Sequence, residues 1–314
     1  MLESSEVGIP LPGPGDVLVQ VGAASVHPGD YFVMTGEPYM VRLAFGLRRP
    51  RHGIPGRDVV GVVAAVGKDV TALRPGEEVF GWSTAGTLAE YACVPADNLV
   101  AVPANLSGVD AAAVPTSAMT ALQALRDIAN VRPGQTVLVT GASGGVGSFA
   151  VQIAKAFGAE VTGVCSTRNV DLVRSLGADH VVDYTREDVA ASGERYDVVL
   201  DLVGNRSLRD LRRLVSPGGV LVLSGGGTST GQRRLLGPAW LMLRGKLAAP
   251  ALPFRVRVPQ TPHSPEQLSD LAALVEAGTV RPVLDRTFPL AEAAAAMTYL
   301  ETEHARAKVV LTVP

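Results

Sequence analysis

The sequence contains only two cysteines, Cys93 and Cys165, among its 314 residues. They lie far apart and form no Cys-x-x-Cys pair, which excludes a disulfide framework and a cysteine-rich zinc site. The chain also lacks an excess of one charge: its formal net charge is −2. Bulk electrostatics therefore predicts neither a nucleic acid nor a membrane as a partner. The densest basic run, Arg48, Arg49 and Arg51, is expected to be a solvated loop.

Long apolar runs are missing as well. The most membrane-like stretch, Leu235 to Leu243, contains Pro238 and has about half the length that a membrane span needs. The start of the chain, Met1 to Gly8, has neither the basic region nor the apolar core of a signal peptide. We therefore expect a cytoplasmic protein.

The residues that are abundant favour a large folded core. Hydrophobic residues make up 47% of the chain and charged residues 18%, which is far from the composition of a disordered chain. A length of 314 residues exceeds what one core usually supports, so two domains are expected.

The first third of the chain has the pattern of an antiparallel β domain. From about Gly15 to Pro103, short apolar runs alternate with glycine and proline, which favours a barrel-type arrangement. The strands predicted there are Val17 to Val21, Val59 to Val66, Glu77 to Trp82 and Leu88 to Val94.

From about Ala111 to Gly226, strands and helices alternate, which predicts an α/β unit with a parallel sheet. The predicted strands are Thr136 to Thr140, Glu160 to Cys165, His180 to Asp183, Tyr196 to Asp201 and Val220 to Ser224. A helix is expected from Asn169 to Leu176, with Gly177 as its C-cap.

The remaining pattern returns the chain to its first domain. An irregular stretch to about Pro259 precedes a helix over Pro265 to Ala277. A second helix begins at Pro289 and continues over Ala291 to Leu300, and a strand from Lys308 to Val313 closes the chain. The predicted domains are residues 1–112 with 260–314, and residues 113–259.

A glycine-rich loop follows the first strand of the α/β unit and precedes a helical pattern. It contains Gly141, Ser143, Gly144, Gly145, Val146 and Gly147. Small residues there let the backbone approach a pyrophosphate, which the free N–H groups of the helix N-terminus bind. The spacing is not a strict Gly-x-Gly-x-x-Gly, but its position between a strand and a helix favours a dinucleotide site over a structural turn.

The end of the second strand predicts which dinucleotide binds. NAD enzymes usually have an acidic residue there for the ribose 2′-hydroxyl, but this chain has Cys165. Ser166, Thr167 and Arg168 follow and offer two hydroxyls and a guanidinium for a 2′-phosphate. We therefore expect NADPH as the cofactor; the alternative is that Arg168 merely faces solvent.

Several blocks of sequence resemble the medium-chain dehydrogenase/reductase superfamily, in its zinc-independent, quinone oxidoreductase-like branch. Besides the glycine loop, the blocks are Ala24-Ser25-Val26-His27-Pro28-Gly29-Asp30, Pro55-Gly56-Arg57-Asp58-Val59-Val60-Gly61, Pro75-Gly76-Glu77-Glu78-Val79-Phe80-Gly81, Leu176-Gly177-Ala178-Asp179 and Lys308-Val309-Val310-Leu311. The resemblance implies a GroES-like catalytic domain, a Rossmann domain, nicotinamide in the cleft between them, and a homodimer. It also implies that Thr120 lies near the nicotinamide carboxamide, that Arg168 contacts the 2′-phosphate and that Tyr184 contacts the adenosine side.

The resemblance also predicts that no metal is bound. The zinc ligands of related alcohol dehydrogenases correspond to His27, the Gly56-Arg57-Asp58 segment and a position near Thr116, and two potential ligands do not make a zinc site. The family usually has Asn at the position of His27. His27 either keeps a hydrogen bond to ribose or backbone, or polarises the substrate. Relatives also carry a strand before the segment from Gly8 to Gly15, and its absence is expected to expose a sheet edge or alter the start of the barrel.

Without zinc, the expected hydride acceptors are quinones and α,β-unsaturated carbonyls, which are small hydrophobic molecules. Tyr39 either donates a hydrogen bond to the developing oxyanion or merely lines the pocket. Asp30 and Asp201 are expected to be structural, but Asp201 ends a parallel strand, where ligands bind in open α/β sheets, and so stays a second candidate for the site. Residues 233–254 form a pocket lid, a subunit contact or core packing. Two alternatives remain: a tailoring reductase of a biosynthetic pathway, and a protein that binds NADPH without turnover.

Overall fold

A computed structural model describes residues 2–224, 239–259, 264–303 and 305–314. The chain divides into two compact units. Unit 1 comprises Met1–Met119 and His263–Pro314, and unit 2 comprises Thr120–Pro262. The sequence placed the two boundaries at 112/113 and 259/260.

The described residues contain strands and helices that alternate in unit 2 and are segregated in unit 1. In chain order the strands are β1 (Asp16–Val26), β2 (Asp58–Val66), β3 (Glu78–Trp82), β4 (Tyr91–Pro95), β5 (Leu99–Ala101), β6 (Thr136–Thr140), β7 (Glu160–Cys165), β8 (His180–Asp183), β9 (Tyr196–Asp201), β10 (Val215–Leu223), β11 (Arg255–Arg257), β12 (Leu284–Pro289) and β13 (Lys308–Thr312). The helices are α1 (Pro28–Thr35), α2 (Met40–Phe45), α3 (Gly108–Ala112), α4 (Pro115–Leu122), α5 (Gly145–Ala156), α6 (Val170–Ser175), α7 (Leu208–Leu214), α8 (Ala239–Ala248), α9 (Pro265–Glu276) and α10 (Ala293–Thr302). Helix α4 continues as a π-helical turn over Gln123–Ile128.

Unit 1 is built around the long strand β1. This strand pairs with β2, and with β4 and then β13 along its length. The sheet order is β12-β13-β1-β2-β3-β5, with β4 beside β1. Register shifts between β1 and β2 at Leu18/Val19 and at Val21/Ala23 let the long strand bend. The predicted GroES-like, barrel-type domain is confirmed.

Unit 2 is a parallel sheet in the order β11-β10-β9-β6-β7-β8. Its core is aliphatic, because strands covered on both faces need apolar side chains throughout. Leu138, Val199, Leu211 and Leu221 are fully buried in it. The predicted Rossmann sheet is confirmed, and strands β6, β7, β8 and β9 have the bounds that the sequence predicted.

Some element bounds differ from prediction. Strand β4 begins at Tyr91, not Leu88, because its pairing with β1 ends at the partner of Tyr91, Gln20. The predicted helix from Asn169 begins one residue later, after a 3-10 turn over Thr167–Asn169. Strand β10 begins at Val215, before the predicted Val220.

The segment predicted as a lid, contact or core is partly outside the described residues, since 225–238 are not described. In the described part, Phe254 is buried in the unit 2 core, and Leu241 and Leu252 pack against it. Trp240 and Leu243 are exposed. Core packing therefore accounts for three of these five apolar residues. No helix among the described residues combines the length and the apolar character that crossing a bilayer requires.

Candidate functional site

The glycine loop connects β6 to α5 with a backbone that only small residues permit. Gly141 has φ of 67°, in the left-handed region that favours glycine. The N–H of Gly144 donates to the carbonyl of Gly141 at 3.0 Å and closes the turn. A Cβ on Gly147 would lie 2.1 Å from the Gly141 oxygen. The loop and the first turn of α5 therefore touch backbone to backbone.

Helix α5 presents unused hydrogen-bond donors at its start. Among the residues that the structure describes, no group accepts from the N–H of Gly145, Val146 or Gly147. These are the first helical positions, whose N–H groups have no partner within the helix. A row of such donors at the positive end of the helix dipole binds a phosphate anion.

Asn169 ties the glycine loop to the end of β7. Its side-chain amide donates to the Ser143 hydroxyl at 2.9 Å and to the Ser166 hydroxyl at 3.3 Å. The residue is buried, and its side-chain oxygen has no hydrogen-bond partner. Asn169 was missed by sequence reasoning, which treated it only as the start of a helix. The signal that could have found it is a polar side chain three residues after Ser166.

The two hydroxyls predicted to bind a 2′-phosphate have different surroundings. Thr167 donates to the carboxylate of Asp183 at 2.5 Å, so its proton is already engaged. Ser166 accepts from Asn169 and keeps its own proton available. In this arrangement Thr167 has no free proton for a phosphate, whereas Ser166 has one. The hydrogen bond from Thr167, followed by those from Thr185, holds the pKa of Asp183 below its usual value.

The other predicted cofactor residues lie near this strand end or on α4. Arg168 is exposed, directly after Thr167, and Tyr184 is exposed next to β8. The N–H of Tyr184 donates to the carbonyl of Cys165 at 3.0 Å, which holds the chain after β8 against the end of β7. Thr120 is half-buried in α4.

Cys165 itself offers no anion in place of the missing acid. Burial raises the pKa of this thiol to about 11, and the negative charge of Asp183 adds to the effect. The thiol is therefore neutral at physiological pH.

Unit 1 contains a buried network of polar residues around Asp58, which is fully buried. One carboxylate oxygen accepts from the Ser25 hydroxyl at 2.6 Å and from the Lys308 ammonium at 3.2 Å. The other accepts from the N–H of Thr116 at 2.8 Å. Lys308 also donates to the Ser117 hydroxyl at 3.2 Å.

The charge of Asp58 is stabilised in spite of its burial. Desolvation alone would raise the pKa of the carboxyl, but Lys308 and then His27 outweigh it and hold that pKa far below its usual range. Asp58, which lies in the segment compared above with a zinc ligand of alcohol dehydrogenases, thus contacts the ammonium group of Lys308. Among the described residues, no group of three or more His, Cys, Asp or Glu side chains could hold a metal ion.

His27 lies at the edge of this network, at the N-terminus of α1. Its Nε2 atom is 3.5 Å from Asp58 Oδ2 and 3.9 Å from Asp30 Oδ2, and it is buried without a hydrogen-bond partner. The Asp30 carboxylate accepts from the backbone N–H of His27 at 3.0 Å and so caps the helix. Asp30 has the structural contacts that the sequence predicted for it.

Tyr39 and Asp201 are two further residues that the sequence pointed to. Tyr39 is exposed, and the guanidinium of Arg42 stacks over its ring at 4.8 Å. Asp201 is buried and accepts from the Thr140 hydroxyl at 2.7 Å. It also accepts from the backbone N–H groups of Val203 and Gly204, as a structural residue would.

A cavity of about 670 Å³ lies in unit 1. Tyr31, Met34, Phe45 and Met297 form much of its apolar wall, and Asp30 also lines it. A hydrogen bond with Glu301, together with burial, raises the pKa of Tyr31 to about 12. Tyr39 and His27 are not among its lining residues. A cavity of this size and lining accommodates a small hydrophobic molecule.

Comparison with known proteins identifies the family of the chain. Residues 13–104 match the alcohol dehydrogenase GroES-like domain, and residues 176–311 match the family called zinc-binding dehydrogenase. The chain is 34% identical to the mitochondrial NAD(P)H oxidoreductase RTN4IP1 of Mus musculus, over 96% of this chain and 82% of that protein. It is 33% identical to the chloroplastic NADPH-dependent alkenal/one oxidoreductase of Arabidopsis thaliana, over 98% of this chain and 74% of that protein.

Among solved structures, the quinone oxidoreductase of Coxiella burnetii superposes with a TM-score of 0.83 at 30% identity, covering 98% of this chain and 93% of that one. The named organellar relatives leave the cytoplasmic location of this chain a prediction.

Proposed function

Since the chain belongs to the quinone oxidoreductase-like branch of the medium-chain dehydrogenase/reductase superfamily, we propose that it transfers hydride from NADPH to a quinone or an α,β-unsaturated carbonyl. The observation that carries this proposal is the set of unused N–H donors at Gly145, Val146 and Gly147, beside a strand end that has Ser166 and Arg168 in place of an acid. The names of the relatives agree with a nicotinamide cofactor and with acceptors of these two classes.

The residues of unit 2 fit NADPH. The three N–H groups and the small side chains around them would hold the pyrophosphate, and Ser143 lies beside them. Ser166 and Arg168 would bind the 2′-phosphate, the first by its free proton and the second by its charge. Tyr184 and Thr120 are proposed as the contacts to the adenosine and to the nicotinamide. The bound cofactor supplies a hydride, and the protein supplies its orientation.

The preference for NADPH is tested with Arg168→Ala. A charge-assisted hydrogen bond contributes about 1.5–3 kcal/mol, so we expect KM for NADPH to rise by roughly 10–100-fold while KM for NADH changes by less than about twofold. The control is Arg174→Ala, which removes an exposed arginine on the same helical segment, where it pairs with Asp171 at 3.6 Å. Equal effects of Arg168→Ala on both cofactors would contradict the assignment.

His27 is proposed to donate a hydrogen bond to the oxyanion that forms on the acceptor. Its Nε2 atom is buried, has no hydrogen-bond partner and lies 3.5 Å from the charged Asp58 carboxylate. Loss of one such donor lowers kcat by about 10²–10³-fold. We expect this loss for His27→Ala, with partial retention in His27→Asn, since an amide can also donate. A raised KM for NADPH with unchanged kcat would instead assign His27 to the cofactor ribose. A role for Tyr39 stays a prediction.

The acceptor class is tested with a panel of quinones and enones, following NADPH oxidation. The cavity in unit 1 is proposed to bind the apolar body of the acceptor, so Met297→Trp should raise KM for the acceptor and leave KM for NADPH unchanged. Failure to oxidise NADPH with every acceptor would favour a protein that binds NADPH without turnover. Activity confined to one elaborate substrate would favour the tailoring reductase. The homodimer also remains a prediction, to be measured by light scattering.

A further inference from the structure

Residues 39–52 of unit 1, here called the docking segment, expose an unusual number of large apolar side chains. Five of the thirteen large hydrophobic residues exposed in the described chain lie within nine consecutive positions of this segment: Tyr39, Met40, Leu43, Phe45 and Leu47. Leu43 is 70% exposed and Leu47 is 69% exposed. None of the residues of helix α2 is buried. Single exposed apolar residues are common, but five of them within nine positions favour an interaction site.

The same segment is strongly basic. It contains four arginines and no acidic residue, although the whole chain has a net charge of −2. Arg42 is engaged locally, because its Nε donates to the Gly36 carbonyl at 2.9 Å. Within the part of the chain that the structure describes, Arg48, Arg49 and Arg51 are exposed and make no side-chain hydrogen bond or ion pair. The expected solvated loop thus combines uncommitted positive charge with exposed leucines.

This combination restricts the partner. A symmetric contact with a second copy would bring the same arginines from both copies together, and like charges repel. A neutral apolar partner would leave the guanidinium groups without counter-charges. An anionic bilayer satisfies both halves of the segment. Its phosphates pair with the arginines, while short apolar side chains enter the boundary between headgroups and acyl chains.

We propose that the docking segment binds the surface of an anionic lipid bilayer. The binding is peripheral and reversible, because the apolar part covers only the nine positions from Tyr39 to Leu47 and is far too short to span a bilayer. Ala44, Phe45, Arg51 and His52 of the segment also line the cavity in unit 1. That the cavity binds the acceptor rests on the proposed function. When the protein is bound to a bilayer, this wall of the cavity lies at the lipid surface, and apolar quinones dissolve in the lipid.

The test is co-sedimentation of the full chain with vesicles, and it requires neither NADPH nor an acceptor. We expect binding to vesicles of phosphatidylcholine mixed with phosphatidylglycerol, steep weakening as salt is added, and no binding to phosphatidylcholine alone. The variant with Arg48→Glu, Arg49→Glu and Arg51→Glu should bind at least ~10-fold more weakly, since each basic residue near the surface contributes separately. The variant with Leu43→Ser and Leu47→Ser should also bind more weakly, at unchanged charge.

The matched control reverses three exposed arginines of α7, with Arg209→Glu, Arg212→Glu and Arg213→Glu. It makes the same change in net charge and should retain binding. All the substituted side chains are exposed, and an unchanged thermal midpoint verifies folding.

The proposal is overturned if the native chain does not bind anionic vesicles. It is also overturned if binding survives both docking-segment variants, which would place the lipid contact elsewhere, or if the control loses binding equally. A change of oligomeric state in the arginine variant without lipid binding by the native chain would assign the segment to a protein contact. Because no turnover is measured, an inactive enzyme that still binds vesicles would refute the proposed function alone.

Discussion

Removing the ammonium group of Lys308 should destabilise unit 1 more than any exposed substitution. The perturbation is Lys308→Met, which keeps most of the volume of the side chain and deletes its charge. Lys308 and Asp58 are both buried, and their charged atoms are 3.2 Å apart. After the substitution the Asp58 carboxylate keeps its hydrogen bonds from Ser25 and Thr116 but has lost the nearest positive charge.

The magnitude follows from the cost of leaving one buried charge without its partner. Breaking a buried ion pair on one side costs about 3–5 kcal/mol. That is a large part of the 5–15 kcal/mol by which proteins are typically stable. At roughly 2–4 °C per kcal/mol, the thermal midpoint should fall by about 6–20 °C. Replacing both partners, as in Lys308→Met with Asp58→Asn, should recover a part of this loss, because no charge is then buried.

The pH dependence gives a second, independent readout. In the native chain the pKa of Asp58 is depressed, so its contribution to stability is present above the ordinary pKa of an aspartate and is lost as the pH falls below it. In Lys308→Met, desolvation is no longer outweighed, and the pKa of Asp58 should rise. Its carboxyl then takes up a proton on folding at mildly acidic pH. The difference in stability between variant and native chain should therefore shrink between about pH 7 and pH 5.

The assay is urea unfolding at both pH values, followed by circular dichroism and by intrinsic fluorescence. The control is Lys246→Met in α8 of unit 2, a lysine that is exposed. A loss below about 1 kcal/mol at pH 7, as expected for an exposed pair, would refute the argument from burial. A difference that stays constant with pH would show that the loss comes from packing and not from the stranded charge.

Three further predictions concern unit 2. Gly147→Ala should abolish NADPH binding or folding, because the added Cβ would lie 2.1 Å from a backbone oxygen. Gly144→Ala should have a much milder effect, because the nearest atom to its Cβ is 3.3 Å away. Calorimetric titration with NADPH compares the two variants, and equal affinities would contradict the close backbone approach at Gly147. Asn169→Ala should raise Kd for NADPH by roughly tenfold through loss of its two hydrogen bonds, with little change in kcat, and an unchanged Kd would remove it from the site. Cys165 should resist a thiol reagent at pH 8 in the folded chain, because burial raises the pKa of its thiol to about 11, and should react after denaturation; rapid labelling of both Cys93 and Cys165 in the folded chain would contradict the structure.

The parts of the fold that could be predicted are those specified by local pattern. The strands from Thr136 to Asp201 are short, apolar and separated by helices, and their bounds agree with the structure residue for residue. The glycine loop could be found because its chemistry and its context occur together in the sequence. The predicted bounds of a strand were wrong where pairing with a distant strand decides them. Strand β4, for example, begins at Tyr91, which pairs with Gln20 of β1.

The polar parts of the site were harder to predict. The partnership of Asp58 with Lys308 joins residues 250 positions apart, and nothing in the local sequence of either one announces the other. Asn169 was missed because its role depends on a loop that a different strand positions. The engagement of Thr167 by Asp183 likewise requires β7 and β8 to be neighbours, so two hydroxyls that look equivalent in the sequence differ in what they can donate.

The position of β13 between β12 and β1 has a consequence for how the chain folds during translation. Everything in unit 2 is translated before this strand, so the Rossmann sheet can close while the first hundred residues still lack a central neighbour. Until β13 is synthesised, Asp58 lacks the ammonium group of Lys308, and the amide edge of β1 from Ala23 to Val26 is open. Nascent chains of this protein are thus most vulnerable to aggregation during the interval when one half is finished and the other waits, and a chaperone that shields exposed strand edges would act in that interval.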